Sequence, residues 1–168
     1  MKRHVHYEAA FEEYLRARGV PYVAVDEARK AVFVGTDVKS FDFLLYPAGA
    51  EKLIVDVKGR KFGGKASRRW KCWVGRDDVD GMAEWEKVFG DGYRAVFAFA
   101  YWLAEPTPTP LFDSTHHHGG REYAFLAVWL SDYRAGMKLL NESWNTVNLP
   151  ADYFRKVFIP FDRLLETS

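Results

Sequence analysis

The 168 residues are 48% hydrophobic and 28% charged, with 13 Phe, 9 Tyr and 6 Trp; they can build the core of one ordinary domain and exclude a disordered or fibrous chain. A lone cysteine, Cys72, excludes an internal disulfide framework and a Cys-only zinc site, and suits a reducing cytoplasm. The formal net charge of +1 argues against a bulk-charge polyanion binder, and no run is apolar enough for a secretory signal or long enough to cross a bilayer, so no membrane association is expected.

Tyr7, Phe11, Tyr14 and Leu15 recur at helical spacing and predict a helix over 4–18, stopped by Gly19 and Pro21. A strand is expected over 20–25 and a short one over 31–34. Residues 41–46 and 52–57 are apolar, β-prone runs separated by Pro47-Ala48-Gly49-Ala50-Glu51, a hairpin signal. Asp77 can cap a helix reaching Phe89, with Met82, Trp85, Val88 and Phe89 on its buried side. Two long apolar strands, 93–103 and 123–130, lack clean alternation and read as central in a sheet. Between them lies a long loop at about 104–121 with three prolines and Gly119-Gly120. A short helix over 132–140, a strand over 157–159 and a final turn over 161–165 complete an α/β chain with no internal repeat and no second domain.

The near-neutral charge conceals an asymmetry. Lys58, Arg60, Lys61, Lys65, Arg68, Arg69 and Lys71 form a run of seven cations without one acid, leaving 17 basic against 23 acidic residues elsewhere. Such a run can be a plain solvated loop, but Phe62, Trp70 and Trp73 beside it offer faces on which bases could stack.

Asp42, Asp56 and Lys58 interrupt or end apolar strands, where an ionised group is costly unless compensated. A five-residue loop over 47–51 sets Tyr46 opposite Lys52 and Asp42 opposite Asp56, with Lys58 on the same face; a four-residue loop would set Asp42 opposite Val55 and separate the acids. Two facing carboxylates make a hard oxygen site suited to Mg²⁺ or Mn²⁺, and a neighbouring ammonium can orient an attacking water. That is the chemistry of phosphodiester cleavage. Asp37-Val38-Lys39 has the same Asp-x-Lys pattern but follows Gly35-Thr36 rather than an apolar strand, and reads as a solvated turn. Glu8 and Glu12 lie four residues apart on the first helix; Glu12 can pair with Arg16, and either could add a third carboxylate.

A helical Glu, a strand Asp, then Asp-x-Lys on the next strand resembles the PD-(D/E)XK nuclease superfamily, here through Glu8, Asp42 and Asp56-Val57-Lys58. The eleven residues from Glu8 to Gly19 are similar to the spacing in archaeal Holliday-junction resolvases and favour Glu8 over Glu12. His6-Tyr7-Glu8-Ala9-Ala10-Phe11-Glu12 also resembles the signature of the HYExAFE family. The resemblance implies a restriction-endonuclease-like mixed sheet flanked by helices, and a divalent metal held by Asp42, Asp56 and the Val57 carbonyl with Glu8 assisting. It further implies Lys58 as the water-positioning group and a possible homodimer. Arg60, Lys61, Lys65, Arg68, Arg69, Trp70 and Lys71 are the expected nucleic-acid contacts, with DNA favoured over RNA. Phe41 stands where many members have Pro, and Asp56 where Glu is commoner.

His116-His117-His118 reads as a polar loop tip rather than a zinc site, because successive strand side chains face opposite ways. Cys72 lacks the partners of a nucleophile and reads as packing. The alternatives to a nuclease are a non-catalytic nucleic-acid-binding module of the same fold and a protein-interaction domain that docks through its aromatics.

Overall fold

The computed structural model describes residues 5–25, 39–49, 51–62, 70–105, 112 and 114–166. The chain opens with α1 (Val5–Ala17), β1 (Tyr22–Ala24), β2 (Phe43–Leu45) and β3 (Lys52–Phe62), then β4 (Val74–Gly75), α2 (Arg76–Phe89) and β5 (Tyr93–Leu103). It continues through β6 (His116–His118), β7 (Arg121–Trp129), α3 (Leu130–Gly136), β8 (Lys138–Asn141) and β9 (Thr146–Asn148), and closes with α4 (Ala151–Val157), β10 (Ile159–Pro160) and α5 (Phe161–Glu166).

The main sheet runs β1-β2-β3-β5-β7-β10, with β6 paired to β7, and β4-β9-β8 form a small second sheet. Neighbours pair antiparallel except β3 and β5, which are parallel along their whole length from Lys52↔Tyr93 to Phe62↔Leu103. A parallel pair needs a crossover, and α2 lies on that connection.

Each face of the sheet carries its own core. Ile54, Phe97, Phe99 and Tyr101 meet Val79, Met82 and Trp85 of α2 on one side. On the other, Val55, Val57, Ala98 and Ala100 meet Tyr7, Ala10, Phe11 and Tyr14 of α1. Burial on both faces accounts for the missing alternation in β5 and β7. Helix α1 comes tightly against β3 at Gly59, where a Cβ would fall 2.1 Å from the Tyr7 ring. Only glycine lets α1 settle onto β3 one residue beyond Lys58.

Several expectations are corrected. Lys58 lies inside a strand, because β3 extends to Phe62 on its pairing with β5. The His triplet forms a strand, paired to β7 through a two-residue turn whose Gly119 and Gly120 take φ of 57° and 77°, the backbone that hairpin turns demand. Helix 132–140 is really α3, ending at Gly136, because Lys138–Asn141 pairs with β9 instead. The strand expected over 157–159 is β10, shifted to Ile159–Pro160 because α4 runs on to Val157, and Val88 of α2 points to solvent while Val79 takes the buried place. The strand expected over 31–34 lies outside the described residues. Among the described residues no helix is long and apolar enough to cross a membrane.

Gly59→Ala is expected to destabilise the protein by about 1–3 kcal/mol through overpacking against Tyr7. Urea denaturation checks this, and an unchanged midpoint would contradict the packing described.

Candidate active site

The β2–β3 hairpin has the register Phe43↔Val55, Leu44↔Ile54, Leu45↔Leu53, which matches the five-residue connection. Continued one step, it sets Asp42 beside Asp56. The ladder itself stops at Phe43. Asp42 N–H donates to Val55 O at 2.9 Å, Asp42 O accepts from Val25 N–H at 2.9 Å, and the Asp42 carboxylate accepts the Val57 N–H at 2.7 Å. A side-chain oxygen thus stands where a backbone carbonyl would continue the pairing, and the Asp42 and Asp56 carboxyls meet through a hydrogen bond.

Burial, and then the charge of Asp56, push the Asp42 carboxyl up to about 9, so the buried pair holds a proton at neutral pH. Glu8 of α1 adds to this upward push and is therefore close enough to act on the pair. Asp56 is itself raised by burial, against the opposing pull of Lys58.

Lys58 Nζ lies 3.2 Å from Asp56 Oδ2 and 2.9 Å from Asp78 Oδ2. Burial works against its charge, but Asp56 and Asp78 together outweigh burial and hold the ammonium above its ordinary range. Lys58 is a fixed cation that donates hydrogen bonds, not a proton acceptor at neutral pH.

Asp78 was not visible as a site residue in the sequence. It sits in the first turn of α2, accepts the N–H of Gly75 at 3.1 Å, and binds Lys39 Nζ at 3.2 Å as well as Lys58. Burial opposes its charge, yet Lys58 and then Lys39 keep the carboxyl below the usual range. Lys39 is in place because its carbonyl accepts the Trp85 indole N–H at 2.7 Å and its backbone packs over Gly81. The residue that closed the discarded Asp-x-Lys tripeptide thus borders the site. The usable signal was a helix-start Asp following a cationic run.

The donor set fits a divalent cation. Asp42 and Asp56 present oxygens, and Val57 turns its N–H toward Asp42, so its C=O points to that same edge of β3. Four carboxylates (Glu8, Asp42, Asp56, Asp78) face two ammoniums (Lys39, Lys58), leaving two negative charges uncompensated when all are ionised. Among the described residues no three His, Cys, Asp or Glu side chains converge closely enough to hold a metal ion between them. Two carboxylates with open positions suit Mg²⁺, which retains water.

The expected nucleic-acid contacts separate. Arg60 is a correction: only 7% exposed, its guanidinium donates to Gly59 O at 2.7 Å and to Trp73 O, and lies 3.9 Å from the Trp73 ring centre. Trp70 is also inward, packed 5.3 Å from Phe62 and 5.5 Å from Tyr101, with Phe62 itself buried. Lys61 and Lys71 are exposed. Lys65, Arg68 and Arg69 lie outside the described residues. Glu12 pairs with Arg16 at 2.9 Å and accepts the Tyr22 hydroxyl. His116 pairs with Glu13. Cys72 is buried, its Sγ 3.2 Å from Asn148 Oδ1.

No protein-family model matches the sequence, and no curated protein matches it. Among solved structures, the chain is similar to that of Hjc, a Holliday junction resolvase from the hyperthermophilic archaeon Archaeoglobus fulgidus. The TM-score is 0.59 at 11% identity, covering 99% of this chain and 98% of that one. The likeness is one of fold, a restriction-endonuclease-like mixed sheet flanked by helices.

Asp42→Asn tests the proton in the pair. In metal-free buffer the native state keeps Asp42 protonated while the unfolded chain ionises above its ordinary 3.8, so the contribution is full below about pH 4 and is lost as pH rises through about 9. The variant should therefore match the parent near pH 4 and exceed it by about 1–3 kcal/mol at pH 8 in urea denaturation with chelator. Equal stabilities at both pH values would contradict the assignment.

Proposed function

We propose that the protein is a divalent-metal-dependent nuclease that hydrolyses phosphodiester bonds, with DNA as substrate and Mg²⁺ or Mn²⁺ as cofactor. The observation that carries this reading is the pair Asp42 and Asp56, buried face to face, with the Lys58 ammonium 3.2 Å from Asp56. The fold shared with a Holliday junction resolvase supports it, as does the resemblance of the residues of α1 and β3 to the PD-(D/E)XK superfamily and to the HYExAFE signature.

In this reading Asp42, Asp56 and the Val57 carbonyl hold the metal, with Glu8 adjoining from α1 across the edge of β3. A bound divalent ion supplies Lewis-acid stabilisation of the charge that develops on the phosphate. Lys58, with two of its three N–H donors turned to Asp56 and Asp78, donates the third to the attacking water and orients it against the phosphate. Asp56 and Asp78 keep that lysine charged and aimed, which makes Asp78 a positioning residue. Exposed Lys61 and Lys71, with Lys65, Arg68 and Arg69, attract the backbone and give an affinity that falls with salt. The chain acts in the cytoplasm, alone or as a homodimer.

Asp56→Ala or Lys58→Ala should lower cleavage of a labelled DNA at least a hundredfold in Mn²⁺ while salt-sensitive binding survives. Parent-level cutting by both variants would refute the catalytic assignment, and parent protein with no affinity for DNA or RNA would favour a protein-interaction domain. Asp78→Asn removes one of the two charges that hold Lys58 protonated. The basic limb of the pH–rate profile should then move to lower pH, and Asp78→Glu should restore it. A uniform loss of rate with an unmoved profile would mean that Asp78 serves the fold alone.

A further inference from the structure

Trp144 is 78% exposed, more than any other large hydrophobic side chain among the described residues. It stands at the tip of the β8–β9 hairpin, and the tip is built rather than loose. The Trp144 N–H donates to Asn141 Oδ1 at 3.0 Å, and Asn145 takes a left-handed φ of 49°. Asn and Asp tolerate that backbone where most residues do not.

The tip is also tied to the candidate active site. Asn145 O accepts the Arg76 N–H at 2.8 Å, and Gly75 pairs with Thr146. Two residues beyond Arg76, Asp78 grips Lys58 at 2.9 Å. The hairpin backbone that carries the ring is therefore joined to the start of the helix whose Asp78 holds the lysine that would orient the water. An indole left in water gains nothing for the fold, since burial is what rewards apolar surface. Its flat π-face is the surface on which an unstacked base gains most. Arg76, exposed beside Asn145, adds the cation that usually accompanies such stacking on single strands.

Leu139 and Leu140 on β8 are also exposed, at 58% and 53%. The register shift between Leu139 and Asn141, however, breaks the hydrogen-bond spacing of that edge, a device that discourages strand addition by another chain. The hairpin is better built to present one ring than to extend a sheet.

Resting on the nuclease reading above, we propose that Trp144 stacks on an unpaired base close to the bond to be cut, so that the substrate class is nucleic acid with single-stranded nucleotides at the site rather than continuous duplex. The test uses the full chain carrying Asp56→Asn, alone and combined with Trp144→Ala or Trp144→Phe. Anisotropy in Mn²⁺ compares a labelled DNA of about 16 nucleotides as single strand and as blunt duplex. The single D56N variant should bind the single strand about tenfold more tightly than the duplex; W144A should bring that ratio to about one, and W144F should keep most of it.

A ratio unmoved by W144A, or already near one in D56N, overturns the inference while leaving the nuclease reading intact. A change in sedimentation from a larger species to a monomer on W144A overturns it in favour of an interface between copies of this chain. Absence of binding to either DNA form by the parent and D56N alike overturns both, and the nuclease reading first.

Discussion

The hydrogen bond from the Val57 amide to the Asp42 carboxylate, 2.7 Å long, closes the β2–β3 ladder with a side chain instead of a carbonyl. It fixes one carboxylate against another in a place where neither would ionise freely. Strand side chains alternate, so a slip of one residue in the Phe43↔Val55 register would send Asp42 and Asp56 to opposite faces. The buried sheet forbids that slip, since Leu45, Leu53 and Val55 would have to leave the core together. Hydrophobic burial thus sets the position of the acids, and the acids in turn create the demand for a cation.

The two sides of the sheet act on that demand in opposite directions. From α2, Asp78 draws Lys58 and Lys39 into one ion cluster, so the lysine next to Asp56 is held charged despite burial. From α1, Glu8 adds negative potential, and its helix comes near because Gly59 leaves the space that the Tyr7 ring occupies. Small Ala98 and Ala100 on β5 lie under the same helix. The similarity to the Hjc fold at 11% identity follows the same logic. What two such dissimilar sequences share is the fold, a mixed sheet flanked by helices.

Much of this was legible in the sequence because it rests on periodicity. The helical recurrence of Tyr7, Phe11 and Tyr14, the five residues from Pro47 to Glu51 and the unbroken apolar run of β5 each predict the observed element. The parts that failed depend on contacts remote in sequence. Cationic Arg60 reads as a surface contact, yet sits on the buried face of β3 because side chains alternate and Trp73 covers it. Trp70 looks like a stacking platform but fills the space between Phe62, Tyr101 and Phe154. Asp78 and Lys39 could not be assigned to the site because neither lies near Asp56 in the chain; α2 alone brings them there, through Gly75, Gly81 and Trp85.

The central claim is that Asp42 and Asp56 together hold a divalent cation within reach of Lys58. Crystals soaked in Mn²⁺ and measured at a wavelength where manganese scatters anomalously test it most directly. The account predicts a peak between the two carboxylates, at about 2.0–2.3 Å from an oxygen of each, as expected of hard oxygen ligands. A peak bound elsewhere with the Asp42–Asp56 hydrogen bond still in place would contradict it.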